Sequence, residues 1–218
     1  MTSNVKNNDQ MKMWSADFGK SYTDRNPKNI AEMDELYIKN FGITRTQLNI
    51  EFLNHLNRDI KILEVGSNVG AQLTGLQQLG FSKLYGIELQ PYAVELSKKN
   101  TTNINLICGS AFDIPFKNNY FDLVFTSGVL IHLSPITIEK ALEEIYRCSN
   151  KLIWGYEYFS EKFQEISYRG NSELMWKNNF SKLYHDKFSD LVVTKEKKIK
   201  YLDSNSVDAM FMLEKTTV

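Results

Sequence analysis

Three kinds of residue in this chain could act on a small ligand: acids that close apolar runs, a glycine-bearing turn, and a histidine just past a strand. Glu64 follows Lys61-Ile62-Leu63 and opens onto Val65-Gly66-Ser67-Asn68-Val69-Gly70, and Glu88 ends a second run, Lys83-Leu84-Tyr85-Gly86-Ile87. A charge at the end of an apolar strand must meet a partner or solvent. Capping of the next helix is one reading, and the pairing of two such acids favours a ligand. Strand, glycine turn and a helix striped with Leu73, Leu76 and Leu79 make a Rossmann-like unit. Such a unit brings backbone against an adenosine-bearing ligand and sets the second acid on the ribose hydroxyls. A dinucleotide fingerprint also wants a third glycine for the pyrophosphate, and Gly75 comes too late. Glu64 would repel a phosphate, yet it suits a ligand with an ammonium group and a sulfonium charge. Asn68 fits a left-handed turn position.

His132 follows Val129-Leu130-Ile131. It reads equally as a general base for a protonated nucleophile and as a histidine that holds its own loop. Tyr156, Glu157 and Tyr158 close a fifth strand, on the edge where open α/β sheets bind ligands. With Tyr168, Arg169 and Trp176 they form a candidate substrate wall, aromatic and partly charged.

The elements that must position these residues alternate in type. Strands are expected near 60–65, 83–88, 103–108, 120–126 and 151–157, and helices near 70–79, 91–99 and 136–149. Pro91 and Ser134-Pro135 supply the helix starts. Segment 158–187 breaks the rhythm, with a helix expected around 173–185. Two further strands, 191–201 and 207–214, form a terminal hairpin. The expected fold is α/β, a Rossmann-like, mostly parallel seven-stranded sheet with an antiparallel terminal hairpin and an N-terminal helical lid. The expected division is a disordered tail at 1–10, the lid at 11–57, and a core at 58–218 with a substrate-side insertion near 158–187.

The 218 residues are 42% hydrophobic with a formal net charge of zero, enough for one filled domain. Nothing in that charge points to nucleic acid or an acidic membrane. The basic run Lys195 to Lys200 lacks interleaved aromatics and reads as a solvated strand. Cys108 and Cys148 are expected to be small core residues, with no metal site. No signal-like or membrane-spanning run is present, so the expected location is cytoplasmic.

Several motifs, in order, resemble class I S-adenosylmethionine-dependent methyltransferases. These are Glu64 to Gly70, the acid at Glu88, Gly109-Ser110-Ala111-Phe112-Asp113-Ile114-Pro115-Phe116, and Phe121-Asp122-Leu123-Val124-Phe125-Thr126-Ser127-Gly128 through His132. The resemblance covers about residues 60 to 155. It implies S-adenosylmethionine as cofactor and S-adenosylhomocysteine as product. Glu64 and the backbone of Gly66, Ser67, Asn68 and Gly70 would hold the methionine moiety. Glu88 would take the ribose and Leu89 would pack on the adenine. Where the family carries an aspartate for the adenine amino group this chain has Ser110, so Ser110, Ala111 and Phe112 would share that task. Ser127 would line the transfer site. A narrower likeness, to methylases associated with pseudaminic acid biosynthesis, rests on Trp14, Phe18-Gly19, Tyr22-Thr23-Asp24-Arg25-Asn26 and Tyr168-Arg169-Gly170. It implies that Tyr22 and Arg25 fold over the cofactor, with Arg25 pairing a carboxylate.

The resulting expectation is methyl transfer to an oxygen or nitrogen of a small polar acceptor, such as a sugar acid or another carboxylate-bearing metabolite. Tyr156, Glu157, Tyr168 and Arg169 would bind it. A non-catalytic cofactor-binding protein and a nicotinamide-dependent oxidoreductase are the alternatives. Oligomeric state is left open by the sequence.

Overall fold

The structure, a computed structural model, describes residues 10–216. Most of the expected tail at 1–10 therefore lies outside the described residues. Gln10 does not, and it is helical: its side-chain amide donates to the His132 carbonyl at 2.5 Å.

After the helical stretch at 10–15 come α1 (Asp17–Arg25), α2 (Ile30–Phe41) and α3 (Arg45–Leu53), all ahead of the sheet. Their limits follow from local chemistry. Asn29 caps α2 by accepting from the Glu32 N–H, and Gly42 ends it in the left-handed region at φ 72°. Thr44 and Gln47 form a reciprocal capping box on α3.

The core then runs β1 (Lys61–Val65), α4 (Ala71–Gln78), β2 (Lys83–Glu88), α5 (Pro91–Asn100), β3 (Asn105–Cys108), β4 (Phe121–Ser127), α6 (Ile138–Cys148) and β5 (Ser149–Tyr158). A short 3₁₀ turn, Leu130–His132, follows β4. After β5 come β6 (Gln164–Glu165), β7 (Trp176–Lys177), α7 (Phe180–Lys187), β8 (Leu191–Lys200) and β9 (Val207–Lys215). The helix expected around 173–185 is thus shorter and later. Trp176 pairs in a strand with Glu165, and Asn179 caps α7 by accepting from the Lys182 N–H, so the helix cannot begin before it.

Seven strands form one sheet in the order β3-β2-β1-β4-β5-β9-β8. β1 to β5 are parallel, while β9 is antiparallel to both β5 and β8. The expected fold class is the observed one. Both faces of the sheet are covered, as strand alternation requires. Leu63, Val124, Ile153 and Phe211 pack with α6 and α7. Ile62, Leu123, Trp154 and Met210 pack with α3 and α4. Gly155 lies opposite Phe211 in the β5–β9 pairing, and any Cβ at Gly155 would overlap the Phe211 ring. That glycine lets the hairpin's aromatic ring settle on the parallel half of the sheet.

The order reverses between β1 and β4, so a crevice opens at their C-terminal ends. Of the two cysteines, Cys148 is buried as expected. Cys108 is exposed, because β3 is an edge strand.

Candidate functional site

A cavity of about 360 Å³ occupies that crevice, within the usual size range of small-molecule sites. Its floor is the loops after β1, β2, β4 and β5, and residues of α1 and α2 cover it.

Gly66 starts the turn after β1 with φ 77°, and a Cβ there would meet Val129 Cγ2 at 2.5 Å. Only glycine satisfies both limits. Four of the five N–H groups between Gly66 and Gly70 are engaged internally. Gly66 and Ser67 donate to the Ile87 carbonyl (2.8 and 3.0 Å), Asn68 donates to Glu88 Oε2 (2.8 Å), and Gly70 donates to the Ser67 carbonyl (2.8 Å). Phosphate cradles are built from free N–H groups, and most of this turn's are already engaged. Asn68 holds φ 46°, the left-handed geometry anticipated for it. Gly66, Ser67 and Asn68 line the cavity. Gly70 does not; it begins α4 at φ 80°, close against Thr101 and Leu106.

Glu64 lines the cavity at 3% exposure, and its Oε2 has no hydrogen-bond partner. Burial raises its carboxyl well above the usual range, opposed by the charge of Arg45. A buried acid left short of a partner is costly, and a cationic ligand group would relieve that cost. Glu88 is held differently. Its two oxygens accept from the N–H groups of Asn68 and Gln90, each at 2.8 Å. Burial raises its pKa, and those backbone donors pull it back. The carboxylate is thereby oriented while keeping lone pairs for two further donors. Leu89, Ser110, Ala111 and Phe112 line the adjoining wall. The Ser110 hydroxyl accepts from the Phe112 N–H at 3.2 Å, which fixes that turn.

Ser127, Gly128, Val129 and His132 form the side below β4. Glu157 lies beneath them and not on the cavity. It is buried, and its oxygens accept from the N–H groups of Val129 (3.2 Å) and Ile131 (3.4 Å). Burial pushes it up to about 7 against those donors. The residue expected to touch substrate instead holds the loop that carries His132. Strand periodicity is the reason: Tyr156 and Tyr158 share the cavity face, and Glu157 points to the opposite one.

His132 is enclosed by Trp14 (ring centroids 4.5 Å), Tyr168 (5.4 Å) and Tyr22 (6.0 Å). Its Nδ1–H donates to the Leu174 carbonyl at 3.0 Å, leaving the Nε2 lone pair free. Burial lowers its pKa to about 4, so the ring is neutral at physiological pH. Tyr22, Tyr156 and Tyr168 line the cavity. Arg25, Arg169 and Trp176 do not: both arginines are exposed, while Trp176 is buried in the core. An arginine clamp on a carboxylate is therefore not built here.

The N-terminal segment is fastened from both sides. The Gln90 side chain donates to the carbonyls of Ala16 (2.8 Å) and Trp14 (3.2 Å), opposite the Gln10 contact to His132. Sequence reasoning missed Asp208, Tyr201, Tyr37 and Phe41, all on the cavity. Asp208 carries the mark that revealed Glu64 and Glu88, a lone acid in an apolar strand (Val207-Asp208-Ala209-Met210-Phe211). Among the described residues no cluster of His, Cys, Asp or Glu fits a metal ion, and no helix is long and apolar enough to cross a membrane.

Comparison with known proteins agrees with this geometry. Residues 63–151 match the family model described as a methyltransferase domain. A phosphoethanolamine N-methyltransferase of Plasmodium falciparum is 26% identical over 116 residues, 52% of this chain and 43% of that protein. The chain spans about half the length of the curated relatives it matches. The PH0226 protein of Pyrococcus horikoshii superposes with a TM-score of 0.68 at 15% identity, over 89% of this chain and 98% of that one. A 1,6-didemethyltoxoflavin-N1-methyltransferase of Burkholderia thailandensis, solved with S-adenosylhomocysteine bound, gives 0.64 at 13% identity, over 79% and 76%. The fold is that of the S-adenosylmethionine-dependent methyltransferases.

Proposed function

We propose that this chain, an S-adenosylmethionine-dependent methyltransferase by fold, transfers a methyl group to an oxygen or nitrogen of a small polar acceptor. The observation that carries the reading is the pair of acids over a turn most of whose N–H groups are already engaged. Glu64 is a buried, under-partnered carboxylate at one end, and Glu88 is a backbone-oriented carboxylate at the other. An ammonium group on Glu64 and ribose hydroxyls on Glu88 complete both. Leu89, Ser110, Ala111 and Phe112 then take the adenine. Gly66, Ser67 and Asn68 back the methionine chain, and Tyr22 closes over it as part of a lid formed by the N-terminal helices.

Bound S-adenosylmethionine supplies an electrophilic methyl group on a sulfonium. The chain's own residues supply alignment, which carries most of the catalysis in an in-line displacement. Ser127, His132, Tyr156 and Tyr168 surround the acceptor side. His132, neutral with a free Nε2, can accept a hydrogen bond from an acceptor hydroxyl or amine. Nitrogen gains support from the two named relatives, both N-methyltransferases.

Calorimetry with S-adenosylhomocysteine tests the reading. Micromolar binding is expected, falling at least tenfold in Glu88→Ala with the fold retained. NAD binding in its place would overturn it. Release of S-adenosylhomocysteine on addition of an acceptor separates an enzyme from a protein that only holds the cofactor.

A further inference from the structure

Part of the cavity is built wholly from residues outside 63–151, the span of the methyltransferase-domain match. Its walls are Tyr37, Phe41, Tyr156, Tyr158 and Tyr201, with ring centroids 5.4 Å apart for Tyr37–Tyr156, 4.4 Å for Phe41–Tyr201 and 6.4 Å for Tyr158–Tyr201. Among these rings sits Asp208, 1% exposed. Its Oδ2 accepts from the hydroxyls of Tyr156 (2.8 Å) and Tyr201 (3.3 Å), while Oδ1 is buried with no partner.

The charge of the lining is one-sided. Among the described residues that line the cavity there are three acids, Glu64, Glu88 and Asp208, and no lysine or arginine. The nearest cations stand outside it. Arg45 lies on the Tyr156 ring at 4.4 Å and donates to Tyr37, and Lys177 donates to Ser206 at 3.0 Å. An acceptor carrying a carboxylate or phosphate would face three acids and no counter-charge. A cation would meet aromatic faces, which attract it, and a carboxylate oxygen with nothing else to bind.

We propose that the acceptor is a small cationic amine, seated with its ammonium on Asp208 between the tyrosine faces, and that its nitrogen receives the methyl group. This rests on the methyl-transfer reading of the same cavity. In the transfer, the nitrogen lone pair forms the N–CH3 bond as the S–CH3 bond breaks, with its electron pair remaining on sulfur. The proton that the ammonium must first shed passes to the Asp208 carboxylate. Burial holds that carboxyl up at about 7, against the hydrogen bonds of Tyr156 and Tyr201 and the charges of Lys177 and Arg45. It is therefore matched to carry a proton near neutrality.

The test uses three probes of one shape on the full chain loaded with S-adenosylhomocysteine: choline, its uncharged carbon isostere 3,3-dimethylbutan-1-ol, and the anion 3,3-dimethylbutanoate. Choline should bind about tenfold or more tightly than the isostere, and the anion should not bind. Asp208→Asn should erase the preference while leaving S-adenosylhomocysteine affinity within twofold. If that variant fails to fold, Tyr201→Phe, which removes one donor to Asp208, should shift choline affinity alone. Equal binding of choline and its isostere, preference for the anion, or no binding of any probe would overturn the inference. Failure of S-adenosylhomocysteine itself to bind would instead strike the methyl-transfer reading.

Discussion

Replacing Glu157 with glutamine should change how stability depends on pH, in a direction fixed by the burial of that side chain. An ordinary glutamate titrates near 4.5, and in the folded chain this one is held at about 7. At about 1.4 kcal/mol per pH unit the gap corresponds to roughly 3 kcal/mol. The protonated form is the one burial favours, so its stabilisation is complete below pH 4.5. It is lost as pH rises through the folded value of about 7, because over that window the native state holds a proton that the unfolded state has released. Glutamine keeps one acceptor oxygen for the Val129 and Ile131 N–H groups but does not titrate. The stability of wild type minus that of Glu157→Gln should therefore fall by roughly 3 kcal/mol between about pH 4.5 and pH 8. For a chain of this length that is about 6–12 °C in relative Tm. Urea unfolding of both proteins at several pH values reads it directly, and subtraction removes the similar titration of Asp208. A difference that stays flat with pH would refute the reasoning. It would mean that Glu157 is ionised throughout and paid for by its backbone donors.

Two further outcomes follow from the loop that Glu157 supports. Gly66→Ala forces a left-handed alanine against Val129 and should cost about 2–4 kcal/mol from backbone and overlap together. Val129→Ala in the same chain should recover part of that loss and of the S-adenosylhomocysteine affinity, as measured by thermal shift and calorimetry; no recovery would mean the overlap is not the cause. Because burial holds His132 near 4, kcat/KM should show no limb between about pH 6 and 7 that vanishes in His132→Gln. A limb that does vanish would show an imidazole titrating at its ordinary value.

The half of the cavity proposed for the cofactor was legible because its marks are local. An acid closing an apolar run, a glycine after it and a leucine-striped helix all fall within a short window, and the parallel sheet follows from the alternation of strands and helices. The half proposed for the acceptor was not, because it joins residues far apart in the chain. Tyr37 and Phe41 sit at plain helical spacing, and Tyr201 and Asp208 lie on either side of the polar stretch Asp203-Ser204-Asn205-Ser206. Arg25 was drawn in by a family resemblance and Arg169 by its aromatic neighbours in sequence, neither of which says anything of exposure, and both lie on the surface. Glu157 was assigned to the wrong face although the two-residue period of a strand already separates it from Tyr156 and Tyr158. The helix expected around 173–185 failed where Trp176 found a strand partner, a tertiary choice that overrides propensity.

The position of β9 between β5 and β8 also has a consequence for synthesis. β8 leaves the ribosome before β9, yet it has no partner in the sheet until β9 exists. Meanwhile the nascent chain carries β5 as an open edge, an aggregation-prone arrangement. Asp208 arrives on β9, and it is the residue that gathers the hydroxyls of Tyr156 and Tyr201. The half proposed for the cofactor can thus assemble first, and the proposed acceptor chamber closes only with the insertion of that strand. Arrested translation before β9 should leave a chain that recognises S-adenosylhomocysteine without a finished place for anything to be methylated.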